Sequence, residues 1–230
     1  MRSTPDFKRV YVWEGPVRIF HWLNALSITV LIITGFLIAD PPAIMSGKEA
    51  SNQYLFGTVR FIHFTAAYTM VAVILLRVYW AFAGNKYAGW RSFFPFHKEG
   101  WKNMLAVIKH DILLIPDKQG THVSIGHNAV ASVSYLVLFV MIFIMILTGF
   151  GLYSDNATWW FPQLFSWVVP ALGGDFMART IHHVTMWGIL LFIPVHVYLV
   201  LYHDWMESRG EVSSMISGFK FIEKMLLKRS

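Results

Sequence analysis

Four long apolar runs, separated by polar and charged connections, dominate the pattern of this chain. They cover residues 18–39, 58–83, 128–153 and 180–203. Each run has the roughly 20 residues that an α-helix needs to cross the hydrocarbon core of a bilayer. The pattern therefore predicts an all-α membrane protein with a four-transmembrane-helix bundle. We expect residues 1–204 to form this transmembrane domain and residues 205–230 to form a tail.

The composition supports a membrane protein and narrows its chemistry. Hydrophobic residues make up 56% of the chain and charged residues only 14%, which is typical of a polytopic membrane protein. The chain has no cysteine, so it cannot form a disulfide, a thiolate-ligated Fe–S cluster or a covalent c-type haem link. The net charge of +6 does not indicate nucleic-acid binding, because the basic residues flank the apolar runs.

The Lys and Arg residues indicate how the helices are oriented. Fifteen of them lie in the N-terminal segment, the 84–126 connection and the C-terminal tail. The other two connections, with the run ends beside them, contain only Lys48, Arg60 and Arg179. An even number of spans places the three basic segments on one side of the membrane, and Lys- and Arg-rich segments are cytoplasmic. We therefore predict that both termini are cytoplasmic.

Two segments outside the runs have predicted locations of their own. The aromatic segment Trp159–Pro170 is too short to span and should lie in the outer interface, where an apolar surface is suited to a docking partner. The tail after Asp204 is predicted to contain an amphipathic helix on the inner surface.

The last run carries two histidines whose spacing suggests two stacked metal centres. His182 and His196 are fourteen residues apart, which on an α-helix is an advance of about 21 Å and almost four turns. Both imidazoles therefore project from one stripe, one near each membrane face. Ionisable side chains at membrane depth usually face the bundle interior. For this pair alone, the alternative of hydrogen-bonded core histidines stays open.

Histidines on the other helices match these two depths. With both termini inside, His63 lies near the outer end of the second helix and His21 near the inner end of the first. His63 thus pairs with His182 at the outer level, and His21 with His196 at the inner level. Histidine is a common axial ligand of haem iron. Since a covalent link is excluded, the four residues predict two bis-histidine haem b groups.

Arginines accompany the predicted ligands. Arg18, Arg60 and Arg179 each precede a ligand histidine by three residues, and residues three apart share a helix face. Arg77 lies at the inner level of the second helix. Guanidinium groups pair with carboxylates, so we expect these four arginines to bind haem propionates. The alternative is that they only flank the spans and extend to the interface.

His127 and Asn128 open the third run at the cytoplasmic surface, level with the predicted inner haem. There they could hydrogen-bond a quinone and relay protons. Asn128 could equally cap the start of a helix.

A short internal echo links the first and third runs, ITVLIITGF (28–36) and IFIMILTGF (142–150). Gly35 and Gly149 in these segments would let a helix or a flat macrocycle approach closely. Ordinary helix packing explains the glycines equally well.

Five stretches of the chain resemble one known family. They are VWEGPVRIFHWLNA, RFIHF, RVYWAFAGNKY, IGHNAVAS and HHVTMWGILLFIPVHVY. Together they resemble the cytochrome b subunit of membrane-bound nickel–iron hydrogenases over essentially the full length. RVYWAFAGNKY is the stretch most typical of that family. The RxxHW opening and the fourteen-residue histidine spacing are also similar to formate dehydrogenase gamma subunits and bacterial cytochromes b561.

The resemblance implies a di-haem b membrane anchor of a respiratory uptake hydrogenase in the bacterial inner membrane. Its partners would be a small Fe–S subunit and a catalytic large subunit on the periplasmic side, so this chain would not be the hydrogen-activating subunit. Electrons would pass from the small subunit through the outer and inner haems to quinone. The implied haem ligands are His21, His63, His182 and His196.

The resemblance also bears on three further positions. It places His127 and Asn128 in the quinone site together with Ser132, where relatives often have Gln. His183 stands where relatives have Arg, which raises the question of which neighbouring histidine ligates the outer haem. The fourteen-residue spacing favours His182.

Two alternatives keep the haem chemistry and change the partner. One is the cytochrome b subunit of a formate dehydrogenase-type complex, and the other is a stand-alone cytochrome b561-type quinone oxidoreductase. A histidine-lined transporter or a purely structural anchor is the alternative from another class, and it predicts no haem b spectrum.

Overall fold

The computed structural model describes residues 7–42, 54–90, 129–207 and 210–223. Most of these residues are helical. In chain order, the elements are β1 (Phe7–Tyr11), α1 (Gly15–Ala39), α2 (Leu55–Ala83), α3 (Ala129–Ser154), α4 (Trp160–Gln163), α5 (Val168–Ala171), α6 (Asp175–Glu207), α7 (Glu211–Ser217) and β2 (Phe219–Glu223).

The helices α1, α2, α3 and α6 are long and apolar enough to cross a membrane. They coincide with the predicted runs, of which only residue 128 lies outside the described residues, so the prediction of four helices able to span a membrane is confirmed in length and composition. Large apolar side chains such as Leu26, Phe61 and Leu191 are 62%, 70% and 70% exposed on their surfaces. Such exposure suits contact with lipid, since water would make it unfavourable.

Contacts along the backbone divide the chain into two compact units. The first unit contains the described parts of Met1–Arg18, Tyr79–Met141 and Leu191–Ser230. The second unit contains the described parts of Ile19–Val78 and Ile142–Leu190.

The second unit is a bundle of four helix segments, in which side-chain contacts close a ring. The contacts are Thr34 of α1 with His63 of α2, Phe64 of α2 with Tyr153 of α3, Thr148 of α3 with His182 of α6, and Trp187 of α6 with Phe36 of α1. The order around the ring is therefore α1, α2, α3, α6. As a result, α2 and α6 occupy opposite corners, and so do α1 and α3.

The first unit ties the two ends of the chain together. Strands β1 and β2 pair antiparallel, with Phe7 opposite Glu223 and Tyr11 opposite Phe219. The backbone N–H groups of Val12 and Trp13 both donate to the carbonyl of Gly218, at 2.9 and 3.1 Å. Gly218 has a φ of +87°, a conformation that favours glycine.

This ribbon was not predicted. The described part of the chain is mostly helical, with four long apolar helices as expected for a membrane bundle, and it also contains this two-stranded sheet. The described part of the tail contains the short helix α7 followed by strand β2. Neither FKRVY nor FKFIE alternates strictly between apolar and charged residues, so the period-two pattern typical of a strand is absent from both segments. Arg9 also lies over the ring of Phe219, 3.6 Å from its centroid.

The predicted outer segment Trp159–Pro170 contains helix α4 and the start of α5, each a single turn. Its aromatic rings pack on those of the long helices, for example Phe161 on Phe150 and on Tyr68, at centroid distances of 5.2 and 5.7 Å. The segment thus packs against the second unit, and its place in the outer interface stays a prediction.

Candidate haem site

His63 is held by a threonine of the neighbouring helix. The Oγ1 atom of Thr34 lies 2.8 Å from His63 Nδ1 and 2.6 Å from the backbone carbonyl oxygen of Val30. A hydroxyl has one proton, and the shorter distance assigns it to the carbonyl. Oγ1 therefore accepts a hydrogen bond from Nδ1–H of His63. In this tautomer the other ring nitrogen, Nε2, carries a free lone pair.

His182 is held in the same way. Thr148 Oγ1 lies 2.8 Å from His182 Nδ1 and 2.7 Å from the carbonyl oxygen of Ile144. Thr34 and Thr148 are only 6% and 2% exposed, so solvent does not compete for these bonds. Both histidines thus present a neutral imidazole with Nε2 available as a ligand.

A glycine follows each threonine and faces the same histidine. A Cβ atom at Gly35 would lie 3.7 Å from Cε1 of His63, and one at Gly149 would lie 3.2 Å from Cε1 of His182. The first distance is an ordinary contact and the second is a crowded one. The glycine at position 149 therefore leaves space for the imidazole that a larger residue would reduce.

The arrangement fits a haem. His63 and His182 lie on opposite corners of the bundle formed by the second unit. Two imidazoles on opposite helices of a bundle are suited to ligating a haem iron. Because the remaining nitrogen of each ring is hydrogen-bonded, the orientation of both ligands is already determined.

The predicted inner ligands belong to different units. His21 is half-buried in α1, and its ring lies edge-on to Trp22 at a centroid distance of 5.1 Å. His196 is exposed on α6 and stacks on Phe192 at 5.5 Å. Pro194, inside the same helix, removes one backbone hydrogen bond close to His196. The pairing of His21 with His196 stays a prediction.

The two arginines expected at the outer level have protein partners. Arg179 forms an ion pair with Asp175 one turn earlier in α6, with Nε 2.6 Å from Oδ2, and both side chains are 59% exposed. The guanidinium of Arg60 lies about equally far from the rings of Phe56 and Phe64, at 6.0 and 5.9 Å. Both lie on the same helices as the histidines they were expected to accompany.

The two arginines expected at the inner level differ in their surroundings. Arg18 belongs to the first unit, where its NH1 donates to the backbone carbonyl of Ile216. Arg77 is 6% exposed within α2. Arg77 is therefore the least exposed of the four, and charged side chains at membrane depth usually face the bundle interior.

The predicted quinone residues are only partly described. His127 and Asn128 lie outside the described residues. Ser132 is 2% exposed on α3, in the first unit.

Comparison with known proteins identifies the family. The family model described as prokaryotic cytochrome b561 matches residues 12–218. The chain belongs to this family. Membership implies haem b as the cofactor, as the histidine pattern predicts.

Relatives within the cytochrome b561 family share more than a third of their residues with the chain. A "Probable Ni/Fe-hydrogenase B-type cytochrome subunit" of Cupriavidus necator is 39% identical over 95% of this chain and 89% of its own length. One of Rhizobium leguminosarum bv. viciae is 40% identical over 91% and 87%. A "Probable Ni/Fe-hydrogenase 1 B-type cytochrome subunit" of Escherichia coli K12 is 36% identical over 91% and 90%. The resemblance seen in the sequence is thereby confirmed.

The contacts of Thr34 and Thr148 in this cytochrome b561 family member were not predicted from the sequence. Both threonines lie in the similar segments of the first and third runs, but only the glycines of those segments were interpreted. His183 is exposed, whereas its neighbour His182 is half-buried. Of these two histidines, His182 is the one that contacts a threonine.

Proposed function

We propose that this protein is the haem-bearing membrane subunit of a hydrogen-oxidising Ni/Fe-hydrogenase and that it transfers electrons to quinone. The observation that carries the proposal is the pair His63 and His182, held by equivalent threonines on opposite corners of one bundle. The names of the relatives support the hydrogenase partner.

Two haem b groups would bind the chain, and haem b supplies a one-electron carrier when bound. His63 and His182 would ligate the outer group through Nε2, from α2 and α6. His21 and His196 would ligate the inner group, from α1 and α6. The apolar helices surrounding these histidines exclude water, so a charged or hydrated species does not compete for the ligand nitrogens.

The arginines would orient the two groups through their propionates. Arg60 and Arg179 serve the outer level, and Arg18 and Arg77 the inner level. The exposed Arg179–Asp175 pair is no obstacle, because an exposed ion pair contributes about 0–1 kcal/mol and a propionate can share the guanidinium. Arg77 is the most deeply buried of the four, and a charged side chain at that depth is expected to face the bundle interior.

The charge distribution supports the orientation of the two levels. With the basic segments in the cytoplasm, the His63–His182 level would lie toward the periplasm, where the small Fe–S subunit and the large subunit of the hydrogenase would dock. Quinone would bind at the cytoplasmic level, at His127, Asn128 and Ser132. His127 would relay protons from the cytoplasm to the reduced quinone, because an imidazole can take up a proton and pass it on.

The first test is the isolation of the intact complex by gentle solubilisation, with protohaem quantified as pyridine haemochrome and partner metals measured. Two protohaems per chain and a nickel-containing partner are expected. A complex without protohaem on this chain rejects the proposal. A molybdenum- or tungsten-containing partner favours the formate dehydrogenase-type alternative, and activity on a small external donor without any partner favours the stand-alone oxidoreductase.

The second test is ligand replacement. We expect His63→Ala and His182→Ala each to abolish the outer haem signal, and His21→Ala and His196→Ala each to abolish the inner one, because a bis-histidine site needs both ligands. His183→Ala is the matched control, being an exposed neighbour of His182, and should retain both signals. The pairing of His63 with His182 and of His21 with His196 is wrong if a redox titration shows that His63→Ala and His196→Ala remove the same single haem.

A further inference from the structure

Two Thr-Gly pairs contact the predicted ligands of the outer haem. Thr34-Gly35 on α1 and Thr148-Gly149 on α3 each contact a histidine of another helix. In both cases Oγ1 lies 2.8 Å from Nδ1. The two contacts share the atoms, the distance and the adjoining glycine, which indicates one function carried out twice.

The proton arrangement explains what the threonines can do. Each hydroxyl donates to a carbonyl of its own helix, at 2.6 Å to Val30 and 2.7 Å to Ile144. Each hydroxyl oxygen is therefore an acceptor for Nδ1–H. This bond selects the tautomer in which Nε2 is deprotonated, and it limits rotation of the ring about its Cβ–Cγ bond.

We propose that Thr34 and Thr148 are positioning residues for the outer haem, which set the tautomer, ring orientation and donor strength of His63 and His182. The proposal rests on the proposed function, because it requires haem iron between these two histidines. An oxygen that accepts Nδ1–H raises the electron density of the imidazole and makes it a stronger donor. A stronger donor stabilises the ferric state, so the two threonines lower the reduction potential of the outer centre.

The experiment compares alanine and serine at the two positions in the intact complex. Alanine removes the acceptor oxygen, is a good helix former and differs from serine only by that oxygen. We expect Thr34→Ala and Thr148→Ala to raise the midpoint potential of the outer centre, to change its low-spin ferric EPR spectrum, and to weaken haem retention about 10- to 100-fold. Thr34→Ser and Thr148→Ser should restore the wild-type values, and the inner centre should be unchanged throughout.

Two other threonines serve as matched controls. Thr29 on α1 and Thr69 on α2 also donate to a carbonyl four residues earlier, at 2.8 and 2.9 Å, and both are exposed. Thr29→Ala and Thr69→Ala therefore remove the same kind of backbone bond without touching a predicted ligand. Both should leave the potential, the EPR spectrum and the haem content at wild-type values.

Several outcomes overturn the proposal. One is a wild-type potential and EPR spectrum in the alanine variants, and another is a serine variant that behaves like the alanine variant, since only the occupied volume would then matter. The alanine variants could lose the outer haem altogether, and the serine variants then decide. Serine variants that keep the outer haem support the proposal, whereas serine variants that also lose it reject the proposal. Absence of protohaem from the wild-type complex is a different result, which rejects the proposed function itself.

Discussion

At the scale of single residues, the two Thr-Gly pairs differ in the space between the glycine and the facing histidine. Gly35 has room for a methyl group beside His63, whereas Gly149 has a tight fit beside His182. The threonine contacts are the same on both sides, so the difference lies only in how near each helix approaches the facing ring. The two glycines should therefore respond differently to the same substitution.

Replacement of Gly149 by alanine should disturb the outer site. The new Cβ would lie 3.2 Å from His182 Cε1, and inserting a carbon into a packed site costs roughly 1–3 kcal/mol. We expect Gly149→Ala to reduce the outer haem content, measured as pyridine haemochrome per chain. Gly35→Ala is the control, since its Cβ would be 3.7 Å from His63, and it should bind haem normally. Equal haem content in the two variants would contradict the geometry.

The sequence predicts the outer ligands but not the residues that hold them. His63 and His182 could be matched by depth, because the spans and their direction follow from apolar runs and basic loops. Thr34 and Thr148 could not, because the depth of a residue does not say which neighbouring helix it faces. A threonine in an apolar helix is ordinarily explained by a bond to its own backbone, and both threonines do form that bond.

At the scale of elements, hydrogen bonds join two of the stretches that resemble the family, VWEGPVRIFHWLNA and RVYWAFAGNKY. Glu14, just before α1, accepts hydrogen bonds from Trp80 Nε1 at 3.0 Å and from the backbone N–H of Asn85 at 2.9 Å. The side chain of Asn85 in turn donates to the carbonyl of Val12 at 3.0 Å. The start of α1 is thus fastened to the end of α2 within the first unit.

Removal of the Glu14 carboxylate should loosen this junction. Glu14→Ala leaves two half-buried N–H donors without their acceptor, at about 1–3 kcal/mol each, and we expect a clear fall in the thermal unfolding midpoint of the detergent-solubilised protein. Glu14→Gln keeps an acceptor oxygen and should lose less. The control is Asp40→Ala, which removes an exposed carboxylate after the end of α1 and should not change the unfolding midpoint. If Asp40→Ala and Glu14→Ala lower the midpoint equally, the hydrogen bonds of Glu14 do not contribute to stability.

Strand pairing was harder to predict from the sequence than helix spans. β1 and β2 have five residues each, and each lies beside a much longer apolar run. Neither strand has a strict apolar–polar alternation, and the partner of each lies far away in the sequence. Local pattern therefore favoured a helical tail, whereas a tertiary contact decided the outcome.

At the scale of the whole molecule, the ribbon bears on orientation. Two strands pair only if they are on the same side of the membrane, and the described residues between β1 and β2 contain four long apolar helices, which give an even number of crossings. This argument does not depend on charge, and it agrees with the positive-inside prediction that both ends are in the same compartment. That this compartment is the cytoplasm stays a prediction from the basic residues.

The absence of cysteine makes that orientation directly testable with single substitutions. Ser166→Cys, between α4 and α5, should react with a membrane-impermeant maleimide added to intact spheroplasts. Ser213→Cys, in α7, should react only after the membrane is permeabilised. Both serines are exposed, so access alone does not separate them. Labelling of the Ser213→Cys variant in intact spheroplasts would reverse the orientation and, with it, the direction of electron transfer.

The pairing of β1 with β2 also has a consequence for biosynthesis. The ribosome delivers β1 before the four long helices of the described residues and β2 after them. The first strand must therefore remain without its complement while these helices are made. Formation of the ribbon thus requires that the last of the four has been made, and until then β1 keeps an open strand edge, which is a template for unwanted pairing.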